Sequence, residues 1–88
     1  MNLVELKSQL RAEGFDRTYV WQDASGVFYS EHTHPTLTAH IILSGEMNLT
    51  VNGQCQTYHP GDRCDVPAGA VHSALMGPHG CRYLIGEK

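Results

Sequence analysis

Six histidines occur in the chain, and three of them are spaced for joint chemistry. His32 and His34 are separated by one residue, so on a β-strand they project to the same face with Cα atoms roughly 6.5 Å apart. Imidazole is the commonest protein ligand for mid-series divalent metals, and two imidazoles at this spacing can converge on one ion. The same pair also arises where two histidines simply face solvent near a strand end. His72 follows the turn Pro67-Ala-Gly69. Proline presets φ there and glycine permits a positive φ or a close backbone approach. A turn of that kind delivers the next side chains to a barrel rim reproducibly, as a metal ligand requires.

The elements that must position these residues are short and mostly extended. Asn2 followed three residues later by Glu5 resembles a capping box. Leu3, Leu6 and Leu10 recur at helical spacing and Gly14 supplies a stop, which predicts one amphipathic helix over about 3–13. From Phe15 the apolar period becomes two, and strands are expected over 15–21, 27–33, 38–43, 47–51, 54–59, 63–66, 71–76 and 81–86. Turns separate them at 23–26, 44–45, 60–62, 67–69 and 77–80, and Asn52-Gly53 is a strong hairpin signal. About eight short strands at near-regular spacing predict an all-β barrel or sandwich. The chain reads as a single domain over 1–88, with its barrel at about 15–87.

With 88 residues and 41% hydrophobic content, one small core is the limit, and domains of this size often lean on a metal, a disulfide or a partner. The net charge is −3 and the six basic residues are scattered, so no basic stripe exists for nucleic acid. No apolar run reaches membrane-spanning length, and a soluble, cytoplasmic protein is expected. Cys55, Cys64 and Cys81 show no Cys-x-x-Cys spacing. Their odd number reads as reduced thiols, small buried hydrophobes rather than a disulfide framework. Open strand edges and an unpartnered helix stripe lead to the expectation of a homodimer.

The two histidine segments together resemble the paired motifs of the cupin superfamily. The first motif of that family runs glycine, five residues, His-x-His, three or four residues, glutamate, six residues, glycine; this chain matches it at Gly26, His32, His34 and Gly45. The second runs glycine, five residues, Pro-x-Gly, two residues, histidine, three residues, asparagine; it is matched at Gly61, Pro67, Gly69 and His72. The resemblance implies a cupin-like double-stranded β-helix, a jelly-roll barrel carrying a short N-terminal helix. It also implies a divalent metal (zinc, iron, nickel, manganese or copper) on His32, His34 and His72. Two positions depart from the pattern: Thr38 replaces the family's glutamate ligand and Met76 its asparagine.

Three neutral ligands with open positions are a known catalytic arrangement. Such a site stays strongly cationic and favours an anionic substrate or hydroxide. His40 shares the face of Thr38; it is a candidate fourth ligand, a candidate acid or base, or a hydrogen-bonded core histidine. Strand parity predicts a small, mostly apolar pocket lined by Phe28, Ser30, Thr38, Met47, Ala74 and Met76, with Leu49 a further candidate. Trp21 and Tyr19 could line the pocket or pack against the helix, and core packing is the reading preferred. His59 and His79 are expected in solvent. Three functions follow: a metal-dependent oxygenase, isomerase or hydrolase on a small polar molecule; a non-catalytic cupin binding a metal or small ligand; and a metal-free barrel with a degenerate site.

Overall fold

The computed structural model describes residues 2–88. Asn2 caps the helix α1, Leu3–Ala12, by accepting the Glu5 N–H on its side-chain oxygen at 3.1 Å. That satisfies one of the donors a helix N-terminus otherwise leaves open. Six strands follow: β1 Arg17–Asp23, β2 Phe28–His32, β3 Thr38–Val51, β4 Gln54–Tyr58, β5 Arg63–Val66 and β6 His72–Glu87.

The expected eight strands are six because two pairs of them run on without a break. β3 passes through Ser44-Gly45 and β6 through Gly77-Pro78-His79-Gly80. Both segments read as turns in sequence, because glycine and proline usually end a strand. Here they bend it. The two strands pair along their lengths, Thr38 with Glu87 through Ile42 with Tyr83, then Met47 with Met76 through Val51 with His72, and the register slips between these stretches. At the slip the backbones nearly touch: a Cβ on Gly45 would lie 2.1 Å from the Gly80 carbonyl oxygen, and Gly45 sits at φ +78.

The bend turns one hydrogen-bonded sheet into two layers. The N-terminal half of β3 and the C-terminal half of β6 pair with β5 and β1; the other halves pair with β4 and β2. This is the double-stranded β-helix expected from the resemblance. Between the layers Ile42, Val66, Tyr83 and Ile85 meet Met47, Leu49, Ala74 and Met76. Leu10 and Phe15 pack instead on the outside of the first layer against Ala39, Ile41 and Leu84, so the helix stripe finds its cover within the chain. No helix among the described residues is long and apolar enough to cross a membrane.

Cysteine placement differs from expectation. Cys81 is buried and Cys64 half-buried, but Cys55 is exposed, because it lies on β4, whose burial pattern is almost wholly open. All three are free thiols.

The bend yields a prediction. Gly45→Ala must both adopt a left-handed φ and displace the Gly80 backbone, and should lower unfolding stability by ~3 kcal/mol or more in urea titration. Gly53→Ala is the control: Gly53 has φ +82 but nothing within 4 Å of its Cβ position, so its loss should stay near ~1 kcal/mol.

Candidate metal centre

His32 ends β2 and His72 begins β6, and the two are directly paired. His34 lies just beyond β2, and its carbonyl accepts the Gly69 N–H at 2.9 Å. The Pro67-Ala-Gly69 turn therefore clamps the first histidine segment to the second. The three rings converge: centroid separations are 4.1 Å for His32 and His72, 4.8 Å for His34 and His72, and 4.9 Å for His32 and His34. One nitrogen from each lies within 4.8 Å of the others.

Two rings have their tautomer set by the backbone. His32 Nδ1 lies 2.6 Å from the Ser30 carbonyl and His72 Nδ1 lies 3.0 Å from the Ala70 carbonyl. A carbonyl only accepts, so each Nδ1 carries the hydrogen and each Nε2 presents a lone pair. His72 Nε2 is buried and has no hydrogen-bond partner among the described residues. A buried lone pair left empty is costly; a cation fits this one. Burial, followed by repulsion from His72 and His32, holds the His34 pKa below the ordinary histidine value, which favours the neutral, ligating form.

The rings open into a cavity of about 650 Å³. Thr38, Met47, Leu49 and Ala74 line it, and so do Tyr19, Trp21, Tyr29, Tyr83 and His40. Phe28 and Ser30 do not. Phe28 is 62% exposed and Ser30 also faces solvent. Strict alternation breaks down because β2 carries a bulge: Tyr29 pairs with Ala74 and His32 with His72, three residues against two. An extra residue flips the faces, so Tyr29 rather than Phe28 or Ser30 shares the inward side with His32. Met76 is buried in the core, outside the cavity lining.

Thr38 is 3% exposed and its hydroxyl donates to the Thr36 carbonyl at 3.2 Å. His40 lines the cavity but stands outside the three-histidine cluster. Its Nδ1 is shielded from water and has no partner among the described residues. Burial pulls its pKa down from 6.5 to about 4, against a smaller opposing pull from the Cys64 backbone.

Asp23 was not singled out by the sequence, where it reads as the start of a turn. It is a buried carboxylate that accepts three hydrogen bonds: from Trp21 Nε1 at 3.0 Å, Tyr29 OH at 2.7 Å and Tyr83 OH at 2.8 Å. The cluster of aromatic donors around one acid was a signal only in hindsight, since Tyr83 is 60 residues away. Burial, with the Asp23 hydrogen bond behind it, raises the pKa of both tyrosines. The arrangement fixes three aromatic side chains around the cavity.

The family model described as a cupin domain matches residues 20–82, and the chain belongs to the cupin family. Among solved structures, it is 28% identical to a cupin superfamily protein from Desulfitobacterium hafniense, with a TM-score of 0.71, covering 82% of this chain and 67% of that one. It is 26% identical to a DMSP lyase from Ruegeria pomeroyi, with a TM-score of 0.75, over 81% of this chain but only 36% of the lyase. An RmlC-like cupin from Shewanella frigidimarina has 21% identity and a TM-score of 0.73, over 80% of this chain and 62% of its own length. The chain thus spans about three fifths of that cupin. No curated protein matches it.

The buried His40 gives a pH prediction. A folded-state pKa near 4 against an ordinary 6.5 means that the unfolded chain binds the extra proton between those values. Stability is therefore full above about pH 6.5 and falls as pH drops toward 4, by roughly 2–3 kcal/mol from this group alone. Urea midpoints of metal-free wild type and His40→Gln, measured from pH 7.5 to 4.5, should show a shallower acid decline in the variant.

Proposed function

We propose that the protein binds one divalent metal through His32, His34 and His72 and uses it to act on a small polar molecule held in the adjoining cavity. The observation that carries this reading is the convergence of three imidazoles, two with their tautomers set by backbone carbonyls and one with a buried, unpartnered Nε2. The donor set suits zinc, iron, nickel, manganese or copper.

When bound, the ion supplies Lewis acidity and coordination positions open to the cavity. The chain's own residues do the rest. Tyr29, Trp21 and Tyr83, held by Asp23, shape the wall and restrict water. His40 is neutral near pH 7, with a shielded Nδ1 lacking a partner among the described residues. In that form it can accept a hydrogen bond from a bound molecule. A cationic centre with mostly apolar walls favours a small anion over a neutral molecule. The similar Ruegeria pomeroyi structure is named a lyase, so an enzyme is a natural use of this scaffold. A binding-only cupin is the second reading, favoured by the threonine at position 38 and its hydroxyl directed to the Thr36 carbonyl.

Tag-free protein should carry close to one equivalent of metal by elemental analysis. Adding zinc, nickel or manganese to chelator-treated protein should raise its melting temperature. His72→Ala should abolish that response, and wild-type binding should fade below pH ~6 as the histidines protonate. Protein that holds no metal and shows no thermal response to any of these ions sinks the proposal.

A further inference from the structure

The carboxylate missing at position 38 has a counterpart one strand away. Thr38 is directly paired with Glu87 in the β3–β6 ladder, and side chains on one face of such a pair start about 5 Å apart. Glu87 lines the main cavity with Tyr83 and Ile85, and also a smaller adjoining pocket with His34 and Thr38. Among the described residues it is the sole acid lining the main cavity.

We propose that Glu87 supplies to the metal the carboxylate oxygen that position 38 withholds. The inference rests on the three-histidine reading above and adds a residue to it. Several other acids of the barrel are committed elsewhere: Asp23 accepts three hydrogen bonds, Glu13 and Asp65 grip Arg63, and Glu46 meets His59, while Asp16, which shares the smaller pocket, does not line the main cavity. Glu87 is held loosely. Its partners are the Tyr19 hydroxyl at 3.2 Å and Arg17 at 3.6 Å, an arginine whose side chain is 74% exposed, and exposed pairs of this kind are weak. The short Thr38 side chain, turned to the Thr36 carbonyl, leaves the approach clear. A glutamate with three rotatable bonds can therefore exchange an exposed guanidinium for a cation.

The test uses metal-stripped, tag-free full chain titrated calorimetrically with cobalt(II), whose ligand-field spectrum reports the donor set. Glu87→Gln should weaken binding by at least ~10-fold and change the spectrum. Adding Thr38→Glu to that variant should restore both. Tyr19→Phe, which releases Glu87 from its hydroxyl partner, should bind as tightly as wild type or tighter. Three outcomes overturn the proposal. In the first, Glu87→Gln binds with unchanged affinity and spectrum while His72→Ala abolishes binding, which leaves the three-histidine site standing alone. In the second, Tyr19→Phe loses as much affinity as Glu87→Gln, which reduces Glu87 to a prop for Tyr19. In the third, wild type binds no cobalt(II), and both readings fall together.

Discussion

The antiparallel pairing of β3 with β6 is the constraint on which the rest depends. Each strand belongs to both layers, so the barrel exists only because the pair bends as a unit where Gly45 meets Gly80. Antiparallel register then sets what lies beside what. The start of β6 meets the end of β3, bringing His72 next to Val51, and the start of β3 meets the end of β6, bringing Thr38 next to Glu87. The three-histidine cluster thus draws on residues from distant parts of the chain. Moving the bend by one residue would exchange inward and outward faces in one layer, and the histidines would no longer share a face with the core residues beneath them.

A second constraint is polar. β1 and β2 are the edges of different layers, each bonded to β6 and not to the other. Asp23 on β1 accepts the Tyr29 hydroxyl from β2 and the Tyr83 hydroxyl from β6, tying the open seam where no backbone ladder runs. A buried carboxylate is tolerable only when its lone pairs are filled, and three donors meet that need. The same bonds hold aromatic rings against the cavity. A wall fixed this way confers the pre-organisation that a binding site needs from its surroundings.

The helix, the turns around Asn52-Gly53 and Pro67-Ala-Gly69, and the three histidines were legible because each rests on local chemistry or fixed spacing. What escaped was non-local. Ser44-Gly45 and Gly77–Gly80 have turn composition, and only their mutual pairing keeps them extended. Phe28 and Ser30 were placed inside by strict alternation, and one bulged residue reversed it. For Tyr19 and Trp21 the sequence leaves pocket wall and core both open, and the structure puts both on the cavity lining. Asp23 and Glu87 carry no local mark at all. Asp23 reaches Tyr83 across 60 residues and Glu87 reaches Tyr19 across 68, and register of that kind cannot be read from one strand alone.

The absence of a carboxylate at position 38 bears on more than coordination number. An ion bound by three neutral imidazoles keeps its full positive charge, and in a mostly apolar cavity that charge is poorly screened. His40 faces the same cavity and already resists protonation through burial. A neighbouring cation lowers its proton affinity further, so the loaded site is one in which His40 stays an acceptor. The charge on the ion must then be balanced by an incoming anion, by hydroxide, or by an acid of the chain. Among the described residues Glu87 is the sole acid on the cavity wall, and it sits across the ladder from the threonine, so on the proposed reading the departure at 38 is a displacement of charge by one strand rather than its loss.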